Sequence, residues 1–162
     1  MENLKKMINL FSLPIIFAWL VFTLFVDILA VPTVFRNVSS IVEAGKVGMT
    51  IFTAFNRIEL VFAVIFLVYA LNRYKKVRTT FLLILSTVLL FWSISYNIYF
   101  TPKIIYFAEM VHSLPAGDPM IGIYKNQHMF YHTIYRYLDT AKIIYLITAL
   151  VILVKSKFAE EK

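Results

Sequence analysis

The sequence predicts an all-α protein, a bundle of four transmembrane helices with both termini in the cytoplasm. Three observations predict it. Hydrophobic residues make up 60% of the 162-residue chain and the mean hydropathy is +0.77, above the roughly 45 to 50% apolar content of soluble domains. Four apolar stretches, at residues 8–31, 47–71, 79–101 and 132–154, each reach the roughly 20 residues needed to cross about 30 Å of hydrocarbon. Basic residues flank them unevenly: Lys5, Lys6, Arg73, Lys75, Lys76, Arg78, Lys155, Lys157 and Lys162 on one side of an up-and-down weave, Arg36, Lys46, Lys103 and Lys125 on the other. The more basic side is the cytoplasmic one. The chain reads as a single integral membrane domain, with little left over for a soluble one.

Lys5 and Lys6 before the first apolar stretch resemble the start of a signal peptide. The stretch exceeds a usual h-region of about 7 to 15 residues and has no small-x-small cleavage site, so it is expected to be a retained helix. Pro14 lies near its start and Pro32 is expected to end it. A short outer loop, residues 33–46, leads to the second helix, where Ala44 and Gly48 form a small-xxx-small pair suited to close approach of a neighbouring helix or a second copy of the chain. Residues 72–78 form a basic hairpin, which makes the second and third helices antiparallel neighbours. Pro102 is expected to end the third helix. Beyond it, residues 104–112 read as an amphipathic helix lying at the outer interface, and Leu114-Pro115-Ala116-Gly117-Asp118-Pro119 reads as a turn. Tyr96, Tyr99, Tyr106, Tyr131, Tyr135 and Tyr137 collect at the outer boundary, as in an aromatic belt. The sequence shows no internal repeat and no low-complexity segment.

Charge inside the apolar stretches marks the candidate site. Arg136, Asp139 and Lys142 fall within the fourth stretch, Asp27 within the first, and Arg57 and Glu59 within the second. Each costs about 2.5 to 3.5 kcal/mol at a helix centre unless it is paired or lines a polar cavity. At about 100° per residue, His128, His132, Tyr135, Asp139 and Lys142 share a stripe roughly 80° wide, with Arg136 on its edge. Arg57 and Glu59 diverge by about 160° on either side of Asn56, so the second helix must serve two partners. Asn97 in the third helix lies at a depth like that of Asp27. These groups all belong to the outer half of the bilayer, while residues 60–71 and 81–92 are almost wholly apolar, so a cavity would open outward and be sealed inside. Two readings stay open. Arg57, Arg136 and Lys142 match Asp27, Glu59 and Asp139 one for one and could form a closed, register-fixing network; alternatively the same groups bind a small ion or solute.

His128 and His132, spaced i and i+4, together with Glu109 and His112, suit the ligation of a metal ion near the outer surface. A metal-binding or haem-related membrane enzyme is therefore an alternative function, and an assembly subunit another. No other cofactor is expected. The net charge of +7 is accounted for by the cytoplasmic flanks and by anionic lipid, which argues against a nucleic-acid partner. Nucleophile elbows, P-loops and dinucleotide fingerprints are absent. Without cysteine, there is neither a disulfide nor a thiolate metal site.

The run Ala30-Val31-Pro32-Thr33-Val34-Phe35-Arg36, then Gly48 with Phe52, then Tyr99-Phe100-Thr101-Pro102-Lys103, and the aromatic-His-aromatic pattern of Phe130, His132 and Tyr135 resemble the small four-helix membrane family that includes transmembrane protein 205. The family is largely bacterial and of unknown function. More distantly the architecture is similar to copper-resistance protein D. The resemblance implies a four-helix fold in a bacterial inner membrane and supplies no activity. The absence of histidine from the first three spans departs from the haem-binding pattern of the distant relatives.

Overall fold

The computed structural model describes residues 2–77 and 80–160, and among these it is helical throughout apart from two short connections. Arg78, Thr79 and Lys162, invoked above for topology and for the start of the third span, lie outside the described residues. The helices are α1 (Glu2–Leu24), a π-helical segment (Phe25–Ala30), α2 (Val31–Asn37), α3 (Ile41–Val77), α4 (Thr80–Ser95), a second π-helical segment (Tyr96–Phe100), α5 (Thr101–Ser113) and α6 (Met120–Glu160). They build four long rods. Each contains a segment long and apolar enough to cross a membrane: Ser12–Asn37, Ile41–Lys75, Thr80–Ser113 and Met120–Ser156.

Neither Pro32 nor Pro102 ends its helix. Proline lacks an N–H and its ring crowds the carbonyl four residues back, and here the preceding turn widens to π geometry instead of breaking. Val31 N–H donates to Val26 O, and Thr101 N–H to Tyr96 O, each five residues back and each just before the proline. The first rod therefore runs on to Asn37. The third continues upright into α5, which packs along the early turns of α6 through Phe107 against Tyr124 and Tyr131. The expected interfacial helix at residues 104–112 is thus a standing extension of the span. The fourth rod likewise starts at Met120, not at residue 132.

The connections are tight. Ser40 caps α3, its Oγ accepting from Glu43 N–H at 3.4 Å. At the expected turn, Asp118 N–H donates to Pro115 O at 3.1 Å with Gly117 at φ 93°, a left-handed value that glycine adopts without strain. Asp118 Oδ1 then accepts from Met120 N–H at 2.8 Å, capping α6.

The rods contact in cyclic order, first with second, second with third, third with fourth and fourth with first. Two apolar zones fill the ring. The larger lies toward the chain termini and joins Ile16, Trp19, Leu20, Ala63, Phe66, Leu85, Leu89, Leu146 and Ala149. The smaller lies toward the Pro115 turn and joins Tyr96, Ile104 and Tyr135. Tyr96 and Tyr135 are therefore core residues, while Tyr99, Tyr106 and Tyr137 are exposed as a belt requires. Gly48 seats the Phe35 ring, which a Cβ would meet at 3.4 Å.

An internal correspondence that sequence patterning alone does not reveal emerges from the two π segments. Thr23, Asp27 and Pro32 align with Ser93, Asn97 and Pro102 at one constant offset. The buried side chains between them follow the same register, Trp19 with Leu89 and Val26 with Tyr96. In the second and fourth rods, Phe52, Asn56, Glu59, Ala63 and Phe66 align in the same way with Tyr135, Asp139, Lys142, Leu146 and Ala149. The two halves of the chain thus repeat one register of buried and polar positions.

Candidate functional site

Between the two apolar zones lies a polar layer contributed by all four rods. Trp19 and Thr23 stack one turn apart on α1, and Thr23 Oγ1 also donates to Trp19 O at 2.9 Å. Both reach across to α3, where Glu59 Oε1 accepts from Trp19 Nε1 at 2.8 Å and from Thr23 Oγ1 at 3.4 Å. Lys142 Nζ of α6 donates to the same oxygen at 2.6 Å and also pairs with Asp139 on its own helix. Aromatic rings complete its surroundings, with Nζ 5.2 Å from the Tyr96 centroid and 5.6 Å from that of Phe55. Such faces attract a cation. Glu59 and Lys142 are essentially fully buried.

Asn56 organises the other side of the layer. Its Nδ2 donates to Thr101 Oγ1 at 2.7 Å, and its Oδ1 accepts from Tyr135 OH at 3.0 Å. Asn97 Nδ2 donates to Asn56 O at 2.8 Å and to Ser93 O at 2.9 Å. The second rod thus serves every other rod, Glu59 turning to the first and fourth and Asn56 to the third and fourth.

Above this layer, toward the Pro115 turn, residues of all four rods line a cavity of about 980 Å³. Its walls are apolar and aromatic, including Val31, Phe35, Phe52 and Ile104. Asp27 and Asp139 form its floor with Tyr135 beside them. Toward the mouth, His132 and His128 follow on the same face of α6, with Arg136 at its edge and Lys125 and His112 at the rim.

The predicted residues therefore divide. Asp27, Asn56, Glu59, Asn97, Tyr135, Asp139 and Lys142 meet in one layer, and His132 lies above it on the cavity wall. The one-for-one charge match does not form. Arg57 is exposed and lines a separate groove between α3 and α5 with Lys46, Glu109 and His112; Arg136 is exposed as well. Among the described residues Lys142 is the one buried cation, facing Glu59, Asp139 and the half-buried Asp27. Of the four candidate metal ligands, His128 and His132 have ring centroids 5.8 Å apart, while Glu109 turns to the other groove. No three His, Asp or Glu side chains converge as a metal site among the described residues.

Trp19, Thr23, Tyr96 and Thr101 belong to the layer without having been singled out from sequence. A signal existed for them: Trp19, Thr23 and Asp27, like Ser93, Asn97 and Thr101, recur every four residues and so share one helical face. Comparison of the chain with protein-family models, curated proteins and solved structures returns no match, so the chemistry of the site rests on its own residues.

Proposed function

We propose that this integral membrane protein binds a small ion or solute in the cavity lined by its four rods, with the mouth facing out of the cytoplasm, in a bacterial inner membrane. The observation that carries the reading is the floor. A roomy, largely apolar chamber ends on two carboxyl groups, those of Asp27 and of Asp139, the latter ion-paired with the buried Lys142 that also serves Glu59. A few polar groups fixing the orientation of a ligand against apolar walls is the general form of a small-molecule site. Binding is favoured over open conduction, because the apolar zone of Trp19, Phe66, Leu89 and Leu146 closes the bundle beneath the floor.

A closed network is part of the same design. Trp19, Thr23, Glu59, Asp139 and Lys142 link three rods, and Asp27 and Asp139 also line the cavity.

The test fills the chamber. Gly45 lines it, and a Cβ there meets no atom within 4 Å, so Gly45→Phe puts a ring into open space without backbone conflict. Solutes that raise the unfolding temperature of the purified wild-type chain are expected to leave Gly45→Phe unchanged. Equal stabilisation of both proteins would place binding elsewhere and overturn the reading.

A further inference from the structure

Apart from the chamber, a groove of about 640 Å³ runs between α3 and α5. Arg57 stands on one wall and Glu109 on the other, both exposed. Among the described residues neither carries an ion pair, and their separation along the groove explains why. Asn56 Nδ2 of α3 donates to Thr101 Oγ1 of the antiparallel α5 at 2.7 Å, so Arg57 lies level with the start of α5. Glu109 stands about two turns, or about 12 Å, further toward the Pro115 turn. Lys46 and His112 close the groove just beyond it. The hydroxyls of Thr50, Thr53 and Ser113, which also line it, donate to carbonyls of their own helices. The donors left at the inner end are those of the Arg57 guanidinium.

Depth gives this guanidinium a meaning. The residues exposed between Arg57 and Lys75 on α3 are Ile58, Val61, Val64, Val68, Leu71 and Tyr74. At 1.5 Å per residue the two cations stand about 27 Å apart, close to the roughly 30 Å of hydrocarbon in a bilayer. An unpaired guanidinium is costly inside that layer, so Arg57 belongs at its edge, where lipid phosphates lie. The planar fork of an arginine matches a phosphate through two parallel hydrogen bonds.

We propose that this groove holds the headgroup of a membrane phospholipid of the phosphatidylethanolamine class, with its phosphate on Arg57 and its ammonium on Glu109. The acyl chains leave along Ile58 and Val61 into the hydrocarbon. The ethanolamine arm points the other way, toward the carboxylate of Glu109, and Met49, Ala54 and Ile105 on the walls suit its methylene groups. Each unpaired side chain thereby gains an opposite charge, and charge-assisted hydrogen bonds are the strong ones. Other headgroups satisfy only half of the site. The glycerol of a phosphatidylglycerol brings Glu109 no cation, and the ammonium of a phosphatidylcholine is methylated and has no N–H to donate. A free phosphate would serve Arg57 alone.

The test counts bound lipid. The purified full chain in micelles would be titrated with dioleoyl-phosphatidylethanolamine, -phosphatidylglycerol and -phosphatidylcholine, and the complexes resolved by native mass spectrometry. The expected result is one tightly held phosphatidylethanolamine, preferred about tenfold over the other two, as befits one hydrogen bond to a charged group. Arg57→Gln should weaken all three lipids about tenfold or more, and Arg57→Lys should restore part of the loss. Glu109→Gln should erase the preference for phosphatidylethanolamine while leaving phosphatidylglycerol bound at least as well as before, a change of selectivity that a merely structural role would not produce. Gly45→Phe fills the chamber and not the groove, so it should keep the preference. Equal retention of the three lipids by wild type, a preference for phosphatidylglycerol, or an unchanged preference in Glu109→Gln would overturn the assignment. Loss of the lipid in Gly45→Phe would move it to the chamber, and displacement by an equal concentration of glycerophosphoethanolamine would make the ligand a free solute; either result also overturns it.

Discussion

At the scale of single residues, Lys142 is the most constrained group in the bundle. It is buried between Glu59 and Asp139 and beneath the Tyr96 and Phe55 rings. Removing one partner of such a cluster leaves uncompensated charge in a medium that cannot solvate it, a loss of about 3 to 5 kcal/mol for buried pairs. Lys142→Met is therefore expected to lower unfolding free energy by about that much, measured by denaturant titration in mixed micelles. Glu59→Gln in the same background should recover part of the loss, because the stranded carboxylate is gone. Equal stability of Lys142→Met and wild type would show that the contact carries no weight. The stripe from His128 to Lys142 was legible in the sequence because one helical face is fixed by spacing alone. Arg57 was not: on a rod with neighbours on several sides, whether a given face meets protein or its surroundings is decided by the other rods, and spacing says nothing of where they stand.

At the scale of elements, the chain uses proline and glycine in ways that local rules only half reveal. Pro32 and Pro102 read as helix ends because each removes a backbone donor, but in both places a π turn absorbs the clash and the rod continues. Nothing in the local composition distinguishes a helix that stops from one that widens by a residue. The turn before α6 was legible, because Leu114-Pro115-Ala116-Gly117-Asp118-Pro119 concentrates residues that suit turns and nothing else. Two glycines in this region make opposite predictions. Gly117 holds φ at 93°, so Gly117→Ala should cost about 1 kcal/mol or more through backbone strain. Gly122 sits inside α6 with open space around a built Cβ, so Gly122→Ala should gain about 0.5 to 1 kcal/mol from helix propensity. Thermal unfolding of the two variants beside wild type checks both signs.

At the scale of the whole molecule, the rods are longer than a membrane requires. The 41 residues of α6 span about 60 Å at 1.5 Å per residue, against about 30 Å of hydrocarbon. The surplus was partly hidden in the sequence, since residues 103–131 mix apolar and polar groups and read as a loop region when their partner helix is unknown. Exposure shows where the apolar girdle lies. Val61, Val64, Val68, Phe81, Ile84, Phe91, Ile144, Ile147 and Val151 turn outward on the half nearer the termini. Toward the Pro115 turn, exposed Lys46, Thr50, Glu109, His112, Lys125, Asn126 and Gln127 interrupt the apolar surface. The cavity mouth, with His112 and Lys125 at its rim, lies in this more polar part of the bundle, and Asp27 and Asp139 lie on its floor. Because the chain has no cysteine, single cysteines can test this arrangement without background. Ala116→Cys, at the turn, should react with a membrane-impermeant maleimide on intact cells, whereas Lys75→Cys, exposed at the opposite end, should react only after permeabilisation. Val42→Cys, on the cavity wall, should also label from outside. The opposite pattern at Ala116 and Lys75 would turn the mouth toward the cytoplasm, and any solute would then be captured from within the cell.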